Sequence, residues 1–225
     1  MNTIILQHTD YWHGGVIHDI VEANVIFTRQ IEQYPAIEDI GLIIVLGGPE
    51  PLSYDEHWVR AAQAFLTAAI EQKRPVLSFG FGAQLVARAL GGQIHPNPAG
   101  KEIGFFPVEA TYPTLPFGLF PQQLVPFHWH SHTCQLPQSA MVFYKTPFCD
   151  TQAFLYSDRV LGFQFHLEMN ASLLEALLTY EHNFIEQRGY FTQSLAQLRE
   201  AHIHPQHQEL LEKIIVHLQG RLQFI

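Results

Sequence analysis

The residues able to do chemistry gather in a few stretches of the 225-residue chain. His128, His130 and His132 alternate along a run that reads as a strand. Residues two apart on a strand face the same side, so three neutral imidazoles could meet one Zn²⁺ there. The plainer alternative is a set of hydrogen-bonded or surface histidines. His202, His204 and His207 flank Pro205 and read as solvated loop residues, with a metal as the lesser alternative. Phe79-Gly80-Phe81-Gly82 sets a glycine turn between a short apolar run and a helix-like run. Strand, sharp turn and helix are the ingredients of an elbow that exposes a nucleophile. Cys134 and Cys149 are the only cysteines, too few for a disulfide scaffold or a four-thiolate metal site. Each reads as a buried, reduced thiol.

The elements around these residues alternate between strand and helix in the first half of the chain, the pattern of a parallel sheet flanked by helices. Strands are expected at Thr3–His8, Asn24–Ile31, Gly41–Leu46 and Pro75–Phe79. The third of these is continuously apolar and ends in the turn Gly47-Gly48-Pro49. Helices are expected from His57 to Gln72, where Trp58, Ala61, Ala62, Phe65, Ala69 and Ile70 make one apolar face, and at Ala83–Leu90, stopped by Gly91-Gly92. Shorter β-like runs follow at Glu102–Ala110, Leu124–His130, Ala140–Lys145, Ala153–Tyr156 and Val160–Phe165. After Asn170 the pattern is helical, with Pro205 as a breaker and Leu173, Leu174, Leu177 and Leu178 facing the sheet. No repeat or linker interrupts the chain, so residues 1–225 are expected to form a single domain.

Composition narrows the function classes. Hydrophobic residues make up 47% and charged residues 15%, which suits a folded globular protein. Lys and Arg number 12 against 21 Asp and Glu, a net charge of −9 with no cationic cluster, which disfavours nucleic acid as a partner. No apolar run reaches the roughly 18 residues that span a bilayer, and no signal peptide is evident, so a cytoplasmic protein is expected.

Three segments resemble the class I glutamine amidotransferases, in particular stand-alone members similar to the glutaminase domain of GMP synthase. They are Gly47-Gly48-Pro49, then Pro75-Val76-Leu77-Ser78-Phe79-Gly80-Phe81-Gly82-Ala83-Gln84-Leu85 with Ala89-Leu90-Gly91-Gly92, then Gly162-Phe163-Gln164-Phe165-His166-Leu167-Glu168. Lys101-Glu102-Ile103-Gly104 and Phe127-His128-Trp129-His130 add to the match. The resemblance implies an α/β fold, a flavodoxin-like three-layer sandwich around a central, mainly parallel sheet. It also implies a chemistry in which a cysteine thiolate attacks the carboxamide of glutamine, a histidine moves the proton and a glutamate orients the histidine. His166 and Glu168 match the last two. Gly48 and Phe81 match the backbone donors of the oxyanion hole. Gln84, His130 and His132 match positions at the substrate pocket. No metal and no cofactor is implied. Glutamine or a related amino acid is the implied ligand, and a separate synthetase subunit the implied acceptor of ammonia.

The chain departs from the family pattern at its centre. Counting back four residues from Gln84 lands on Gly80, where the family carries its cysteine. Glycine tolerates the strained backbone of an elbow but brings no nucleophile. Ser78, Cys134 and Cys149 are the residues that could stand in, and a thiol would need to lie within hydrogen-bond reach of His166. Leu167 replaces the family's proline, His132 stands where relatives commonly carry aspartate, and Ala83 where some carry histidine. Three readings follow: a degenerate glutaminase that binds a ligand or partner; an active amidotransferase, if Gly80 is an engineered replacement or another nucleophile serves; and a histidine-based metal-binding protein.

Overall fold

The computed structural model describes residues 2–49, 54–113, 115–186 and 191–220. Fourteen strands and seven α-helices are assigned among them. The parallel part of the main sheet comes from β1 (Asn2–Gln7), β2 (Asn24–Phe27), β3 (Ile40–Val45) and β4 (Val76–Phe79). Every residue of β3 and β4 is buried, which explains why both read as unbroken apolar runs. The chain between β1 and β2 carries the single turn α1 (Ile17–Ile20). Helix α2 (His57–Glu71) joins β3 to β4. It buries Val59, Ala62, Phe65, Leu66 and Ala69, while Trp58 and Ile70 of the expected face are half-buried and pack against the same core; Val59 and Leu66 are the additions. Helix α3 (Phe81–Ala89) follows β4 after one residue.

The middle of the chain is antiparallel. Strands β5 (Gln93–Pro96), β6 (Glu102–Phe105), β7 (Val108–Ala110), β8 (Gln123–Leu124), β9 (Phe127–His130) and β10 (His132–Gln135) are short. They are followed by β11 (Ala140–Thr146), β12 (Cys149–Tyr156) and β13 (Val160–Phe163). The main sheet has the order β2-β1-β3-β4-β13-β12-β11-β7-β8, parallel from β2 to β13 and antiparallel beyond. Strand β13 is therefore the seam: parallel to β4 on one side, antiparallel to β12 on the other. The expected run Glu102–Ala110 divides at Phe106-Pro107, and its halves join different sheets. The run Leu124–His130 divides likewise into β8 and β9. Residues 28–31 turn away instead of extending β2.

After β13 come α4 (Ala171–Tyr180), α5 (His182–Glu186), β14 (Phe191–Thr192), α6 (Leu195–Glu200) and α7 (Pro205–Gly220). Pro205 opens α7 rather than breaking a helix, since a first-turn residue has no intrahelical acceptor for the N–H that proline lacks. Asn170 caps α4 by accepting from Leu173 N–H at 2.9 Å.

Side chains alternate across the parallel strands and build two cores, one on each face. Ile5, Leu42, Ile44, Leu77 and Phe163 pack with Leu211, Ile214 and Leu218 of α7. Ile4, Ile43, Val45 and Val76 pack with Val59, Leu66, Leu85 and Val86 of α2 and α3. The result is the expected three-layer α/β sandwich. A third cluster joins Trp12, Ile103, Phe127 and Trp129 to Leu173, Leu174, Leu177 and Leu178. Helix α4 thus covers the small sheet β14-β6-β9, not the main one. Among the described residues no helix is long and apolar enough to cross a membrane.

Candidate active site

The site begins at the end of β4. Gly80 has φ 50° and ψ −121°, a conformation that glycine adopts freely and residues with a Cβ adopt only under strain. Its N–H donates to Phe163 O of β13 at 2.8 Å, and its carbonyl accepts from Gln84 N–H at 3.2 Å as α3 starts. The elbow is a single residue, because Phe81 and Gly82 are already helical. Gly82 lets α3 approach the end of β3, since a Cβ there would overlap Val45 O and Leu46 O. This close packing brings the Gly47-Gly48 turn beside the elbow: a Cβ on Gly80 would lie 3.7 Å from Gly47 Cα.

The partner group arrives from the end of β13. His166 N–H donates to Phe127 O at 2.8 Å, which ties it to β9. Its Nδ1 lies 2.6 Å from Glu168 Oε1, and both side chains are fully buried. A carboxylate only accepts, so Nδ1 carries the proton and Nε2 is left facing away from Glu168. Nε2 has no hydrogen-bond partner among the described residues, and neither has Glu168 Oε2. The ring points at the elbow: a Cβ on Gly80 would sit 2.8 Å from His166 Cε1 and 2.9 Å from Nε2. Those distances are shorter than real Cβ contacts, so the imidazole occupies space that a side chain on Gly80 would claim.

The rest of the surround comes from loops. Trp12 is buried with its ring centroid 5.6 Å from that of His166, and its Nε1 also lacks a partner among the described residues. A Cβ on Gly47 would meet both His166 Cε1, at 2.7 Å, and Trp12 Nε1, at 2.8 Å. Gly15 passes so near Glu168 O that a Cβ would overlap it, and Val16 N–H donates to the same carbonyl at 3.0 Å. Gly48 packs on His8, and the Phe81 ring lies against His8 and Trp58. Burial lowers the His8 pKa to about 3 and keeps the ring neutral. Gln84 is buried and accepts from Tyr54 Oη at 2.6 Å. Trp12 and Tyr54 sit outside the regular elements and carry no periodic signal, and His8 was read only as the end of the first strand, which is why motif reading gave none of them a role.

The structure separates the histidine series. His128 and His130 are buried neighbours on β9, but the chain changes sheets at Ser131 and His132 belongs to β10. His128 Nε2 engages Phe106 O at 3.1 Å, and burial lowers the His128 pKa to about 4. Among the described residues neither His128, His130 and His132 nor His202, His204 and His207 form a convergent donor set; the group that does is Glu102, His130 and Cys149. His130 thus turns toward Glu102, with Nε2 2.9 Å from Oε2.

The stand-in nucleophiles lie elsewhere. Ser78 Oγ donates to Leu161 O at 3.0 Å inside the sheet. Both thiols are buried, and burial raises each pKa to about 12. Neither lies within hydrogen-bond reach of His166 Nε2.

Comparison with known proteins gives the family. The glutamine amidotransferase-like protein YfeJ of Salmonella typhimurium is 30% identical over 175 residues, 73% of each chain. A glutamine-hydrolyzing GMP synthase subunit of Methanococcus vannielii is 27% identical over 146 residues, 63% of this chain and 70% of that one. A glutamine amidotransferase of Thermotoga maritima superposes with a TM-score of 0.83 at 21% identity, covering 100% of this chain and 99% of the other. The family model for glutamine amidotransferase class-I matches residues 13–184, a span that runs from the Trp12 loop through the elbow and the His166–Glu168 pair to α5. By that match the chain belongs to the class I glutamine amidotransferases.

Proposed function

We propose that the chain is a single amidotransferase-like domain in which Gly80 stands at the nucleophile's position, so that it binds glutamine or a related amino acid, or a partner, without forming a thioester. One observation carries this reading: the His166 ring lies against Gly80, where a nucleophile's Cβ would be, and no thiol is within its reach. In the same reading His166 and Glu168 are the retained proton-transfer pair, and the N–H groups of Gly48 and Phe81 are the remnants of an oxyanion hole. Gln84, His130 and His132 belong to the substrate side of the domain. A separate synthetase subunit is the partner class, in keeping with relatives that are named as subunits.

The test is incubation with glutamine and measurement of glutamate and ammonia. No turnover above buffer is expected. Ammonia release that disappears in His166→Ala but survives replacement of both cysteines by serine would overturn the proposal. The intact 2.6 Å His166–Glu168 contact favours one second reading, that Gly80 is an engineered replacement in an otherwise active enzyme. Turnover that appears in Gly80→Cys would support it.

A further inference from the structure

A second buried cluster lies apart from the elbow. Glu102 on β6, His130 on β9 and Cys149 at the start of β12 bring one donor atom each to within 4.8 Å of the others. Glu102 and His130 are each 1% exposed and Cys149 is 3% exposed.

The hydrogen bonds around the cluster fix what each atom can do. His130 Nδ1 lies 3.0 Å from His132 O, and a carbonyl only accepts, so Nδ1 bears a proton. In the neutral ring Nε2 is then a lone pair. It sits 2.9 Å from Glu102 Oε2, which already accepts from Gln152 Nε2 at 2.6 Å. Two lone pairs at that distance repel unless something positive lies between them. A proton on Nε2 is one such charge and would make the contact an imidazolium–carboxylate pair; a metal ion is the other, and Nε2 makes no aligned hydrogen bond among the described residues. Cys149 Sγ completes the set, held 3.2 Å from Thr133 Oγ1.

We infer that Glu102, His130 and Cys149 form a binding site for a divalent transition-metal ion of the zinc class. Imidazole nitrogen, thiolate sulfur and carboxylate oxygen are the donor types that Zn²⁺ takes, at about 2.0–2.3 Å. The His130 nitrogen and Glu102 oxygen, 2.9 Å apart, need to spread slightly and the sulfur, within 4.8 Å of both, to draw in by about an ångström to reach that geometry. The surroundings supply what metal ligands require. The second nitrogen of His130 is fixed by a backbone carbonyl, and the Glu102 carboxylate is oriented by Gln152 and by the Thr146 hydroxyl at 2.8 Å. A cleft of about 580 Å³ has Thr133, Phe148, Asp150 and Thr151 in its walls, so chain neighbours of Cys149 reach it although the three donors themselves lie behind them. On binding, the Cys149 S–H bond breaks, its proton leaves to solvent and the electron pair forms the sulfur–metal bond. One thiolate and one carboxylate then balance the double charge of the ion.

The experiment is to strip the full chain with chelator and titrate it with Co²⁺, then with Zn²⁺. One ion per chain is expected, with a thiolate-to-cobalt charge-transfer band in the near ultraviolet that Zn²⁺ abolishes. The band is lost in Cys149→Ser and kept in Cys134→Ser, with circular dichroism confirming that each variant is folded. Absence of the band in the wild-type chain overturns the inference, whatever the variants do, and leaves an imidazolium–carboxylate pair. Persistence of the band in a folded Cys149→Ser protein overturns it equally. Glutamine turnover plays no part in the readout, so the result is independent of the function proposed above.

Discussion

Gly80 meets two demands at once, a backbone with φ +50° and an imidazole within 3 Å of where its side chain would start. Alanine at this position therefore pays for conformation and for crowding together. The strained backbone alone costs about 1–3 kcal/mol. Displacing His166 from its 2.6 Å contact with Glu168 adds to that. Urea unfolding of Gly80→Ala, His166→Ala and the double variant separates the two contributions. The cost of Gly80→Ala is expected to fall by about 0.5–3 kcal/mol in the His166→Ala background, where only strain remains. Purely additive costs would mean that the ring is not in the way. The sequence carried Gly80, His166 and Glu168 because each belongs to a motif of fixed spacing. Trp12 was illegible, since nothing in an irregular stretch says which later residue it will face. The Glu102–His130–Cys149 group was hidden for a related reason. Its members lie on three strands, and register between distant strands is set by the folded sheets, not by local spacing.

Among the elements, the contact of α3 with the end of β3 does most to place the site. It depends on Gly82, whose missing Cβ leaves room for two backbone carbonyls of β3 and its following turn. Carbonyls held in a buried strand cannot swing aside as a flexible side chain would. Gly82→Ala is therefore expected to destabilise by about 2 kcal/mol or more, as overpacking of a well-filled interior does. A thermal-unfolding midpoint within a degree of wild type would contradict this. Element type followed the sequence well where burial was two-sided, as in β3 and β4, or where a helical face was long, as in α2. It failed where the chain changes sheets. Glu102–Ala110 and the histidine run each look like one strand from their β-type residues, yet the chain changes sheets at Phe106-Pro107 and at Ser131; Pro107, which lacks the N–H a ladder needs, was a legible break that the alternating pattern outweighed.

Across the whole molecule, buried neutral histidines couple stability to pH. Burial holds His8 at about 3 and His128 at about 4, against an ordinary value near 6.5. The unfolded chain takes up their protons first, so the stabilising contribution is complete above pH 6.5 and is lost as the pH falls toward the folded-state values. Each should remove about 1.4 kcal/mol per pH unit over its window. Unfolding free energies measured from pH 7 to pH 5 should show that slope, flattened in His8→Asn. A slope unchanged by the substitution would remove His8 from the account.

The position of β13 as seam has a consequence in time. The elbow follows β4, the His166–Glu168 pair follows β13, and eight strands, β5 to β12, are made between them. Until β5 to β12 have taken their places in the main sheet and the two smaller ones, the two halves of the centre are ends of a long floppy loop, and bringing them together carries its full entropic cost. The centre is thus assembled late. A lesion anywhere in the wing reaches it as a delay in maturation, even when the finished architecture is unchanged.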